Sequence, residues 1–206
     1  MIRAVLFDMD GVLVDSFDGW LDLINLAAIH FGCPPISRDE FLRVYGQSTQ
    51  LDVEIFFPLQ SVEEVDGYYE TQFGALAENV KLMMGAKRVL EEITSRGIGT
   101  AVITNTGGGL ARSILEKVGL HPQHTIGGDE VVNPKPAPDM VFLACELLSV
   151  SVADVVLVGD SRFDVEAAFA AGVDSIGVNG IEGDYSIESI EGLLTKLSEI
   201  DSERRG

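Results

Sequence analysis

The 206-residue sequence predicts an α/β fold: a parallel sheet flanked by helices, with an all-helical block inserted after the first strand. Three observations carry this. Short apolar runs rich in β-branched residues alternate with helix-spaced segments from Met84 onward. A first such run, Ala4-Val5-Leu6-Phe7, stands apart at the N terminus and stops abruptly at Asp8-Met9-Asp10-Gly11. Between the two, residues 15–80 carry helical patterning and no convincing strand.

The elements follow in order. The N-terminal run reads as a buried strand. Trp20, Leu21, Ile24, Ala27, Ala28 and Phe31 recur at helical spacing and predict an amphipathic helix over 18–31, ended by Gly32 and the Pro34-Pro35 loop. Ser37-Arg38-Asp39-Glu40 is a capping box opening a second helix, interrupted at Tyr45-Gly46-Gln47-Ser48-Thr49. Further helical segments fall over 51–56 and 62–76. Helices are then predicted over 85–95, 110–118, 138–148, 163–171 and 186–200. Strands are predicted over 99–104, 124–126, 155–158 and 174–178, and residues 201–206 read as a frayed tail. Strands alternating with helices imply right-handed crossovers in a Rossmann-like sheet. The expected organisation is a discontinuous α/β core, residues 1–14 and 81–206, with a helical cap domain over 15–80. Its hinges fall near Val14 and Lys81-Leu82.

Composition narrows the function classes. With 33 acidic against 14 basic residues the net charge is −19, which speaks against a nucleic-acid partner and against a membrane surface. The two cysteines, Cys33 and Cys145, have no neighbouring Cys or His, so a structural zinc site is excluded. They are expected to behave as small hydrophobes in a reducing cytosol. The chain has no long apolar run and no signal-peptide pattern, so the expectation is a soluble, cytoplasmic protein. His30, His121 and His124 fall outside every motif and read as structural or exposed.

Polar groups of a consistent kind gather in four loops. The first holds Asp8 and Asp10, beyond the carboxyl end of a strand, where open α/β sheets bind ligands. The second holds Thr104 and Asn105 ahead of a glycine-rich turn, a setting suited to an anion such as phosphate. The third, Asn133-Pro134-Lys135-Pro136-Ala137-Pro138, presents one lysine in a stiff turn. The fourth, Gly159-Asp160-Ser161-Arg162-Phe163-Asp164, supplies acids suited to a hard divalent cation. Each loop alone is equally well read as a helix cap, a turn or an exposed lysine. Together, with complementary charges, they read as a site.

In order and spacing, Asp8-Met9-Asp10-Gly11-Val12, Ile103-Thr104-Asn105, Lys135-Pro136 and Gly159-Asp160-Ser161-Arg162-Phe163-Asp164 resemble the four motifs of the haloacid dehalogenase superfamily. The helical insertion and Gly128-Asp129-Glu130-Val131 resemble its phosphoglycolate phosphatase-like branch. The resemblance implies a Mg²⁺-dependent phosphatase acting on a small phosphorylated metabolite through an aspartyl-phosphate. Asp8 would be the nucleophile and Asp10 the acid and base. Thr104 and Asn105 would hold the phosphoryl group, and Lys135 would neutralise charge. Asp8, Asp160 and the backbone carbonyl of Asp10 would ligate Mg²⁺, with Asp164 orienting the metal's surroundings.

The second carboxylate, Asp10, separates this pattern from haloacid dehalogenases, and the absence of lysine from 15–80 separates it from phosphonoacetaldehyde hydrolases. The leaving group is less constrained. Arg38, Arg43 and the Tyr45–Ser48 turn, with Gln47, are candidates for reading it. An arginine would suit 2-phosphoglycolate, whereas exposed arginines would leave a sugar phosphate or pyrophosphate more fitting. A phosphomutase of the β-phosphoglucomutase type, and a non-catalytic binding relative, remain the competing readings.

Overall fold

The structure, a computed structural model, describes residues 1–204. The chain opens with strand β1 (Ala4–Phe7), buried throughout. A two-residue strand, β2 (Val14–Asp15), leads into α1 (Phe17–Phe31), α2 (Arg38–Leu42), α3 (Thr49–Phe56), α4 (Val62–Thr71) and α5 (Phe73–Asn79). Another two-residue strand, β3 (Lys81–Leu82), follows. Then come α6 (Ala86–Ser95), β4 (Gly99–Ile103), α7 (Gly108–Val118), β5 (His124–Ile126) and α8 (Asp139–Leu148). The chain continues through β6 (Val155–Gly159), α9 (Arg162–Ala171), β7 (Asp174–Val178), β8 (Tyr185–Ile187) and α10 (Leu193–Glu203).

Six strands form one sheet in the order β5-β4-β1-β6-β7-β8, with every pairing parallel. The chain builds outward from β1 on one side through β4 and β5, then returns to the other side at β6. That reversal opens a crevice at the carboxyl end of β1, where Asp8 begins. The strand pleat sends alternate β1 side chains to opposite faces. Val5 and Phe7 pack in a core with Val89, Ile93, Ile114 and Leu193. Ala4 and Leu6 pack in a second core with Met140, Val141, Ala144 and Ala167. Burying such a side chain contributes roughly 1.5–3 kcal/mol, so both layers hold β1 and fix where its end projects.

The helical block has its own packing. α1 lies against α4 and α5, and α3 against α4. Leu23, Ile24, Phe57, Val65 and Leu76 belong to an apolar cluster that continues into Val12, Leu13, Val14 and the Val5 face of β1. β2 and β3 pair antiparallel, Val14 opposite Leu82 and Asp15 opposite Lys81, so the two connections to the block lie side by side.

Three expectations change. The helix read over 62–76 is two helices parted at Gln72, whose N–H is shared by the carbonyls of Tyr68 and Tyr69. The helix read over 186–200 begins only at Leu193. Tyr185–Ile187 is a strand instead, because the open edge of β7 offers it a parallel ladder, Ile176 opposite Tyr185 and Val178 opposite Ile187. The stretch read as a frayed tail is anchored as far as Arg204. Asp201 accepts the Ile2 N–H at 2.7 Å, and Arg204 pairs with Asp174 at 2.6 Å; residues 205–206 of that stretch lie outside the described residues. Among the described residues no helix is long and apolar enough to cross a membrane.

Candidate active site

The site starts where β1 runs out. The N–H groups of Leu13 and Val14 both return to the Met9 carbonyl, and Gly11 N–H reaches the Val14 carbonyl at 2.8 Å, which closes a tight turn. Gly11 sits at φ 77°, and a Cβ there would collide with the Asp160 carboxylate, so the turn and the end of β6 meet only because this residue is glycine. Asp8 is thereby held at 3% exposure. Its Oδ1 accepts the Met9 N–H at 2.7 Å and the Lys135 Nζ at 2.8 Å.

Lys135, 1% exposed, also donates to Asp164 Oδ1 at 2.6 Å. Asp164 is fixed in turn by the capping box of α9, its Oδ2 accepting the Ser161 N–H at 3.1 Å and the Ser161 hydroxyl at 2.6 Å. A Cβ on Gly159 would collide with Asp164, so this approach too depends on a glycine.

Asp8, Asp160 and Asp164 bring carboxylate oxygens within 4.8 Å of one another. A lone ammonium among these three acids leaves an excess of negative charge. Burial and repulsion from Asp164 raise the Asp8 carboxyl well above its usual range, against the pull of Lys135. Burial, then Asp164, push Asp160 up to about 7. Burial alone would lower the Lys135 ammonium, but Asp164 and Asp8 more than reverse this and raise it. Crowded hard oxygen donors with uncompensated charge suit a divalent cation of the Mg²⁺ type.

Asp10 lies in a separate nest of donors. Its Oδ1 accepts from the Ser16 hydroxyl and from Trp20 Nε1 at 3.0 Å. Its Oδ2 accepts from Thr106 Oγ1 at 3.0 Å and, more loosely, from Thr104 Oγ1 at 3.5 Å. Asn105 uses both amide hydrogens on backbone carbonyls, Gly46 and Lys135, each at 2.9 Å. Its side chain therefore ties the Tyr45–Gln47 turn to the lysine loop and has no N–H left to offer a phosphoryl group. Its Oδ1 is buried without a donor, and its backbone N–H has no partner among the described residues.

A cavity of about 40 Å³ opens over Asp8, Asp10 and Thr104. The helical block walls it with Trp20, Phe41, Tyr45, Gln47, Asp52 and Tyr69. Gln47 thus lines the cavity. Arg43 does not: it is exposed and absent from the lining, because α2 turns that position to solvent. Arg38 is likewise exposed and pairs with Asp18 at 2.5 Å.

Several contributors went unread in the sequence. Trp20 matched an apolar helix position, Ser16 and Thr106 sat beside motifs with nothing to distinguish them, and Ser161 lay inside the fourth motif without a role of its own. Asp52 and Tyr69 lie on separate helices and meet only in the fold, where Tyr69 donates to Asp52 Oδ2 at 3.0 Å.

A family model described as haloacid dehalogenase-like hydrolase matches residues 5–178. The chain belongs to this family. Among curated relatives, a phosphoglycolate phosphatase of Yersinia pestis is 30% identical over 190 residues, covering 86% of this chain and 81% of the relative. Two solved structures share the fold. A hydrolase from Pseudomonas syringae superposes with a TM-score of 0.82 at 21% identity, covering 96% of this chain and 99% of its own. CbbY from Rhodobacter sphaeroides, in complex with phosphate, gives 0.80 at 24% identity, covering 94% and 96%. The hydrolase described here therefore carries the parallel sheet of its family with a buried acidic cluster at the end of β1.

Proposed function

We propose that this hydrolase is a Mg²⁺-dependent phosphatase that cleaves a small phosphate monoester through an aspartyl-phosphate on Asp8. The observation that carries the reading is Asp8 itself: a buried carboxylate at the end of the central strand, held by one lysine at 2.8 Å and facing a cavity. In the proposed reaction an Asp8 oxygen attacks phosphorus and the bond to the ester oxygen breaks. Asp10 gives its proton to the departing alkoxide. Asp10 then takes a proton from water, whose oxygen attacks the same phosphorus, freeing inorganic phosphate and the Asp8 carboxylate. Lys135 offsets the charge of Asp8 and of the phosphoryl oxygens. The Thr104 hydroxyl and the Asn105 backbone N–H, which has no partner among the described residues, would hold that group.

Asp8 and Asp160, with the backbone carbonyl of Asp10, would hold Mg²⁺, and Asp164 would orient its surroundings. Bound there, the cation supplies positive charge that lets an anionic ester approach an anionic nucleophile. Residues 15–80 act in this reading as a cap over a core of 1–14 and 81–206, swinging about the β2–β3 ribbon to exclude water. The name of the curated relatives supports 2-phosphoglycolate as one ester to test.

The test is phosphate release from 2-phosphoglycolate, sugar phosphates and pyrophosphate, with Mg²⁺ and with a chelator. Chelator-sensitive release is expected, and Asp8→Asn should lower it by on the order of 10³-fold or more while the protein stays folded. Conversion of a sugar phosphate without phosphate release would point to a phosphomutase, and full activity in Asp8→Asn would overturn the mechanism.

A further inference from the structure

The cap side of the cavity has a hydrogen-bonding polarity. Gln47 Nε2 donates to Asp52 Oδ1 at 2.7 Å, and the Tyr69 hydroxyl to Asp52 Oδ2. Thr49 Oγ1 donates to Asp66 at 2.6 Å. Ser16 gives its hydrogen to Asp10, so the Tyr45 hydroxyl, 2.9 Å from Ser16 Oγ, is the donor in that pair. Trp20 Nε1 is spent on Asp10. Apart from the second Nε2 hydrogen of Gln47, these side chains have used their donors within the protein. What remains toward the ligand are oxygen lone pairs, including those of Asp52, which is 8% exposed. Among the described residues, no lysine or arginine lines the cavity.

We propose that this wall, centred on Asp52, admits phosphate esters whose alcohol part carries hydrogen-bond donors, hydroxyl or protonated amine, and rejects those bearing a carboxylate. The inference rests on the phosphatase reading and specifies its substrate class. Where Asp52 is ionised, a carboxylate placed here meets it with no cation to compensate and leaves acceptors facing acceptors, so the selectivity belongs to the alkaline side of neutrality. A hydroxyl or ammonium group instead fills the free lone pairs of Asp52, while the rings of Trp20, Tyr45 and Tyr69 cover its carbon atoms. Sites built to bond a particular polar group discriminate strongly, because the wrong ligand leaves buried groups unpaired.

Three esters of one size isolate the point: 2-phosphoglycolate, 2-hydroxyethyl phosphate and 2-aminoethyl phosphate differ only at the terminal group. With Mg²⁺ at pH 8, where Asp52 is ionised, kcat/KM for the hydroxyl or amine ester should exceed that for 2-phosphoglycolate by about tenfold or more. The better of the two tells which donor the wall prefers. In Asp52→Asn the ratio should fall toward one, through a rise in KM for the donor-bearing ester and better use of the carboxylate. Turnover with 2-phosphoglycolate equal or preferred would overturn the selectivity while leaving the phosphatase reading standing. An unchanged ratio in an active Asp52→Asn variant would overturn the part given to Asp52. If that variant does not fold, the native ratios still decide the selectivity. No turnover of these esters or of the wider panel would bring down the phosphatase reading and this inference with it.

Discussion

Asp10 is the most heavily bonded carboxylate of the site, held by Ser16 and Trp20 at the start of α1 and by Thr104 and Thr106 after β4. Such a setting fixes a proton carrier in place, which is what a group acting first as acid and then as base requires. Asp10→Asn keeps the shape and removes the proton transfer, so kcat should fall by roughly 10²–10⁴-fold. The loss should be smaller in the first step for an ester with a good leaving group. Rapid-quench labelling would then show phosphorylated protein accumulating, and equal loss in both steps would count against the two roles. Lys135 makes a different prediction. It is the buried cation between Asp8 and Asp164, so Lys135→Met leaves two carboxylates facing each other without it. Removing one partner of a buried charged cluster costs about 3–5 kcal/mol. The urea midpoint of this variant should drop accordingly, and partly recover at lower pH, where the stranded acids protonate. An unaltered midpoint would mean that the lysine stabilises nothing in the fold.

At the scale of elements, what could be read from the sequence follows from how local the cause is. β1 and its acidic turn were legible because an apolar run, a chain reversal and two acids lie within eight residues. The proline-flanked Lys135 and the Gly159–Asp164 turn were legible for the same reason. The β2–β3 ribbon was not, since two-residue strands carry no period to detect, and their pairing joins residues far apart in sequence. β8 was misread because Ile187, Ile190 and Leu193 fit helical spacing, while the edge of β7 that captures Tyr185–Ile187 is a feature of the folded sheet. Asp52 was invisible for a further reason: an acid on a short helix is ordinarily solvated, and only the packing of α3 on α4 buries it under Tyr69. Local signals also carry stability. In the capping box of α4 the Ser61 hydroxyl accepts the Glu64 N–H at 3.2 Å, and Glu64 accepts the Ser61 N–H at 2.8 Å. Ser61→Ala should cost about 1 kcal/mol, a Tm drop of roughly 2–4 °C in a chain of this size. Because the box is exposed and outside the cavity lining, kcat should be unchanged; a fall in kcat without a fall in Tm would mean that α4 moves during turnover.

At the scale of the whole molecule, most of the acidity behind the net charge of −19 lies in water, but a few acids are buried, and these set the pH response. Burial, opposed by hydrogen bonds from Gln47 and Tyr69, pushes Asp52 up to about 7, and burial with Asp164 brings Asp160 to the same value. In the unfolded chain such groups titrate near 3.8. Between these values the folded protein binds more protons than the unfolded one, so stability is lost as pH rises through that window and levels off above it. Without divalent cation, raising pH from 5.5 to 8 should therefore lower the unfolding free energy, by on the order of 2 kcal/mol for each of the two acids, with most of the loss below about pH 7. Adding Mg²⁺ at a hundred times its dissociation constant should contribute about 2.7 kcal/mol at pH 8. It should also flatten the part of the slope that comes from Asp8 and Asp160, whose charge the cation offsets. The slope that remains belongs to Asp52, in the cap wall beyond the acidic cluster, and to Asp66, which burial also raises, so Asp52→Asn should reduce it. Calorimetric Tm profiles with Mg²⁺ and with a chelator separate the two contributions. A metal-free profile that rises between pH 5.5 and 8 would show that these acids are ionised at no cost in the fold, and a Mg²⁺ profile parallel to the metal-free one would place the cation away from Asp8 and Asp160.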